Sequence, residues 1–102
     1  MEDVDIFHST DEQTVADHVQ SAGGEYAALV INPSAFTTSA GPLPQAIAEF
    51  EGLRYEVHAS NPAVRGVQST ILPHCTGAIC GFGYPGYGLA LSAIARQITS
   101  QH

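Results

Sequence analysis

The chain has 102 residues, a net charge of −7, three arginines and no lysine. That balance argues against nucleic acid and anionic membrane surfaces, both of which need a basic face. Nor does any apolar run approach the ~18 residues of a membrane span. A 44% apolar content suits one small domain over residues 1–102. The acidic start "MEDVDIFHST" has no secretory core, and Cys75 and Cys80 are too few for a disulfide framework. A cytoplasmic protein with reduced thiols is expected.

In chain order, "VDIF" (4–7) reads as a short strand. Thr10 followed by Gln13 makes a capping-box pattern, and Val15, Val19 and Ala22 share one helix stripe up to Gly23-Gly24. "YAALVI" (26–31) is continuously apolar, as in a strand covered on both faces, and ends at Asn32-Pro33. A polar loop (34–42) precedes a short helix (43–50) that accepts Pro44 in its first turn. Gly52 closes that helix, and "LRYEV" (53–57) is the next strand. A loop (59–73) leads to a strand, "TGAIC" (76–80). The final helix, from about 87 to 100, has Leu91, Ile94, Ala95 and Ile98 on one face. Strands and helices alternate, which predicts an α/β fold with a parallel sheet covered on both sides.

Three features invite chemical readings. "GFGYPG" (81–86) matches G-x-G-x-x-G between a strand and a helix. The nucleotide reading requires a later strand with an acid on it, so a glycine-rich packing turn is favoured. His74, Cys75 and Cys80 match no zinc spacing, and His8, His18 and His102 offer nothing sharper than edge or surface positions. The third feature is a rim. In a parallel α/β sheet, ligands bind outside the carboxyl ends of the strands. Asn32 and His58 both sit there, with Ser60 and Arg65 close behind. On position alone, His58 is balanced between chemistry and scaffold.

"LVINPSAFT", "YEVHASN" and "GAICGFGYPGYGLAL" resemble, in order, the signature segments of type II 3-dehydroquinate dehydratases (type II dehydroquinases). "VDIFHSTDEQTVADHV" is similar to the family's second strand and following helix, so the resemblance covers nearly the whole chain. It implies a flavodoxin-like, three-layer α/β sandwich and a homo-oligomer, commonly a dodecamer of trimers. It further implies elimination of water from 3-dehydroquinate through an enolate, with no metal or organic cofactor. By motif, Asn32 would position the water that stabilises the enolate oxygen. His58 would be the general acid for the departing hydroxyl. Ala59 and Ser60 would hold the small-molecule carboxylate substrate. Arg65 lies in the region of the substrate-binding arginines, and Thr38 stands where the family carries a histidine.

Some family features have no counterpart. The proton-abstracting tyrosine and its activating arginine belong to a lid after a first strand, and this chain has neither strand nor lid. None of Tyr26, Tyr55, Tyr84 and Tyr87 matches the lid motif. An N-terminally truncated family member with impaired turnover is therefore expected. The alternative is an inactive relative that binds a small carboxylate or serves as an assembly subunit. The family's central first strand is the missing one. The expected remedy is that "VDIF" moves inward to pair with "AALVI", giving four parallel strands in sequential order.

Overall fold

The structure is a computed structural model describing residues 4–100. His102, named above, lies outside them. Three parallel strands, β1 (Ala28–Ile31), β2 (Leu53–His58) and β3 (Gly77–Cys80), form a sheet in that order. Three helices, α1 (Glu12–Ala22), α2 (Leu43–Glu49) and α3 (Pro85–Ser100), cover it. The register pairs Ile31 with Glu56 and His58 with Cys80, which brings the three strand ends to one rim.

Strand alternation separates the two layers. Ile31 and Leu29 pack with Ala16 and Val19 of α1 and with Leu43 and Ile47 of α2. Val30, Tyr55 and Val57 point the other way, to Ala90 and Ile94 of α3. The result is the expected three-layer α/β sandwich.

Several boundaries move for physical reasons. Asp11, not Thr10, caps α1: its carboxylate accepts from the Thr14 N–H and from the Thr14 hydroxyl. The charged acceptor meets the orphan donors of the first turn directly. α3 begins at Pro85 because a proline in the first turn loses no hydrogen bond. The glycine-rich stretch before it is a packing turn. A Cβ on Gly86 would stand 3.1 Å from Val57 Cγ1, so the helix start lies close on β2 and a larger residue there would require Val57 to give by a few tenths of an ångström.

The inward shift of "VDIF" does not occur. Residues 4–9 form no strand, and the sheet has three strands, not four. Tertiary contacts hold this segment on α1. The Phe7 ring stacks on His18 with centroids 3.9 Å apart, and Asp5 Oδ2 lies 2.8 Å from His18 Nε2. Side chains committed to α1 keep the backbone away from β1.

Candidate active site

The loop after β1 is shaped by Asn32, whose side-chain carbonyl accepts from the Ser34 N–H at 3.1 Å. The Asx turn leaves the Asn32 amide nitrogen as a donor at the rim. Ser34 takes a left-handed φ of 49°, a conformation that disfavours a side chain. Its carbonyl accepts from the buried Thr37 hydroxyl at 2.6 Å, which closes a short 3-10 turn over Ser34–Phe36. Thr70 then fastens this loop to the 59–73 loop, donating through its N–H to Thr37 O and through its hydroxyl to Ser39 O.

β2 supplies the imidazole. Glu56 and His58 are two residues apart, hence on one face of the strand. The Glu56 side chain is almost fully buried, and its Oε1 lies 2.5 Å from His58 Nε2. Its other oxygen accepts from the Ser69 hydroxyl at 3.0 Å. The Ser69 oxygen in turn accepts from the Ile71 and Leu72 N–H groups. A carboxylate at Nε2 calls for the proton on that nitrogen, leaving Nδ1 as the atom available for chemistry.

Beyond His58 the chain makes a second Asx turn, in which Asn61 accepts from the Ala63 N–H before a 3-10 turn over Pro62–Arg65. This turn carries Arg65 back, so that its guanidinium donates to the Ser60 hydroxyl at 3.1 Å.

These loops border an open cavity of about 430 Å³. Asn32, Thr38, His58, Ala59, Ser60 and Arg65 all line it, so the sequence-derived residues converge on one place. Ser34 and Val67 line it as well and were missed, as was Glu56 behind the histidine. Alternation along β2 held the signal for Glu56, since an acid two residues before a histidine shares its face. Ser69 offered no comparable cue, because only the folded loop brings it to the carboxylate.

Among the described residues, His58 and Arg65 are the only ionisable side chains lining the cavity. The tyrosines lie elsewhere: Tyr55 donates to Gln97 on α3, Tyr84 is exposed, and Tyr26 and Tyr87 border a different groove. Burial and the Glu56 charge push the Cys75 thiol up to about 11, and burial raises Cys80 too. Both therefore favour the protonated form, which is a weak nucleophile and ligand. No three His, Cys, Asp or Glu side chains converge as metal ligands among the described residues.

The family described as Dehydroquinase class II matches residues 1–95. The chain belongs to this family. Two members similar to it are the 3-dehydroquinate dehydratase of Geotalea daltonii, 36% identical over 99 residues, and the 3-dehydroquinate dehydratase 2 of Pseudomonas aeruginosa, 38% identical over 97. The matches cover 94% and 92% of this chain but 69% and 66% of those proteins. The crystal structure of the type II dehydroquinase from Propionibacterium acnes superposes with a TM-score of 0.80 at 32% identity. That match covers 86% of this chain and 67% of that one. This class II dehydroquinase-family chain thus spans about two thirds of the relatives it matches, and its α/β fold is theirs.

Proposed function

We propose that the chain is a hydro-lyase of the shikimate route, converting 3-dehydroquinate to 3-dehydroshikimate and water. What supports this most is the convergence of Asn32, His58, Ser60 and Arg65 on one cavity, with the imidazole held from behind by a buried carboxylate. In this reading Arg65 and the Ser60 hydroxyl bind the substrate carboxylate. The proton beside the ketone passes to solvent water, since no side chain among the described residues of the cavity wall takes it, and the enolate oxygen is stabilised through the Asn32 amide. His58, protonated, gives a proton from Nδ1 to the departing hydroxyl, which leaves as water. Ala59 shapes the carboxylate end and Thr38 the opposite wall. The chemistry uses no metal or organic cofactor.

The first step has no base in the cavity wall among the described residues. One general base typically contributes ~10²–10⁴-fold, so turnover by this chain alone is weak. The same observation favours a second reading, a small-carboxylate binding module with the catalytic step lost. We also infer a cytoplasmic homo-oligomer. Exposed Phe82, Tyr84 and Leu89 support self-association, and no helix among the described residues is long and apolar enough to cross a membrane.

Ultraviolet absorbance of the conjugated enone product tests the reaction. Slow turnover abolished by His58→Ala supports the enzyme. Absence of turnover, with carboxylate binding sensitive to Ser60→Ala, supports the binding module. Absence of both overturns the proposal.

A further inference from the structure

The chain meets its need for left-handed backbone with Gly24, Gly52, Gly66, Gly81 and Gly83. Among the described residues the one exception is Ser34, at a φ of 49°. There a Cβ crowds the backbone, and glycine would make the same turn without that crowding. Asparagine and aspartate tolerate such positions because their side chains bond locally. Ser34 has no such compensation. Its N–H donates to Asn32 Oδ1 and its carbonyl accepts from the N–H and hydroxyl of Thr37. Its own hydroxyl has no partner among the described residues.

The backbone of Ser34 is therefore held from both sides while its side chain is left over. A disfavoured conformation persists where the surroundings over-determine it, and such residues gather at ligand sites. Ser34 fits in place as well as in conformation, since it is exposed and lines the His58 cavity beside Asn32. The 3.1 Å bond from its N–H also fixes the Asn32 side chain, so the two act as one unit on the β1-loop wall. Ser34 borders the groove along β1 too, but that groove is lined mainly by apolar side chains, which have no use for a hydroxyl. The polar cavity does.

We propose that the Ser34 hydroxyl contacts the ligand of the His58 cavity, as the hydrogen-bond partner of a ring oxygen away from the carboxylate. The carboxylate itself is taken on the other wall, where Arg65 and Ser60 are joined at 3.1 Å. A cyclic carboxylate with a carbonyl or hydroxyl on its ring is then held on both walls. One without such an oxygen is held by its carboxylate alone. A hydroxyl suits this task because it both donates and accepts, so it serves a ketone, an enolate or an alcohol, whereas the Asn32 amide nitrogen only donates. Ser34 is in this sense a specificity-determining residue. The inference rests on the reading of the cavity as a carboxylate site, and it adds which residue selects the rest of the ligand.

The test is calorimetric titration of the full chain with two carboxylates. 3-Dehydroshikimate carries a ketone and hydroxyls on its ring, and cyclohexene-1-carboxylate carries neither. Ser34→Ala and Ser34→Gly should each weaken binding of the first by about five- to tenfold and leave the second unchanged. Arg65→Ala should weaken both. Ser34→Gly also relaxes the backbone, so its urea midpoint should equal or exceed that of the wild type while its affinity falls. Undiminished affinity for 3-dehydroshikimate in both Ser34 variants overturns the inference, as does an equal loss for the two ligands. A lower urea midpoint for Ser34→Gly overturns it too, because the serine is then kept for folding. If the wild type binds neither carboxylate, the proposed function fails and this inference with it. Binding that responds to Arg65 but not to Ser34 overturns this inference alone.

Discussion

Glu56 and His58 lie two residues apart on one face of β2, and the carboxylate of the first meets Nε2 of the second at 2.5 Å. The pair is buried, and Ser69 closes it from the other side. A charged hydrogen bond of this kind is worth ~1.5–3 kcal/mol, or roughly 10–100-fold in a rate it supports. Glu56→Gln should therefore lower turnover by about that factor while His58→Ala abolishes it. A pH–rate profile separates the roles. If Glu56 only supports the fold, Gln leaves the profile in place and lowers just the amount of folded protein.

Ser69→Ala tests the same network through stability. It removes one donor to the buried Glu56 carboxylate and one acceptor shared by the Ile71 and Leu72 N–H groups. An unsatisfied buried polar group costs ~1–3 kcal/mol. Urea denaturation should show a loss in that range with an unchanged m-value.

Arg65 is exposed and donates to Ser60 at the mouth of the cavity. For a charged hydrogen bond in contact with solvent, the lower end of the range applies. Arg65→Ala should weaken binding of a cyclic carboxylate by about tenfold. Calorimetric titration at two salt concentrations checks this, and the wild-type affinity should fall as salt rises.

Glu12 ties α1 to the start of α2. Its Oε2 accepts from the Leu43 N–H at 2.9 Å and from the Ser39 hydroxyl at 2.5 Å. Leu43 is fully buried, so Glu12→Ala leaves the first N–H of that helix without this acceptor. A loss of ~1–3 kcal/mol is expected by thermal or urea unfolding. Glu12→Gln, which keeps an acceptor oxygen, should recover part of it.

Cys75 gives a prediction for alkaline pH. Its thiol ordinarily titrates at 9.0 and is raised to about 11 in the folded chain. Between these values the unfolded state has lost a proton that the folded state retains, so stability falls as pH rises from 9 to about 11. Cys75→Ser should flatten that part of the pH–stability curve. Alkylation of Cys75 in the native protein at neutral pH should be slow compared with the unfolded chain.

Local chemistry made much of this protein legible in advance. Although α2 ends at Glu49 with Phe50 as its cap, ahead of Gly52, the continuous apolar run before Asn32, the glycine stop at 23 and the final helix stripe each specify an element through periodicity or backbone preference. Their alternation specifies a parallel sheet. Strand ends that share one rim then place Asn32, His58 and Ser60 together, since a parallel sheet puts all its carboxyl ends on one side. Gly52 joins the two levels: its φ of 126° is a local glycine preference, whereas the 2.3 Å that would separate a Cβ there from Ala27 O comes from the pairing of β2 with β1.

Tertiary structure decided what depended on partners distant in the chain. "VDIF" has a strand-like pattern, but Asp5 and Phe7 find His18 on α1, and a strand exists only where a neighbour completes its ladder. Ser69 comes to Glu56 because Thr70 pins its loop to Thr37 and Ser39. The open edge of β1 is decided at this level too. A short apolar run has the same composition whether its hydrogen bonds are met on one side or on both.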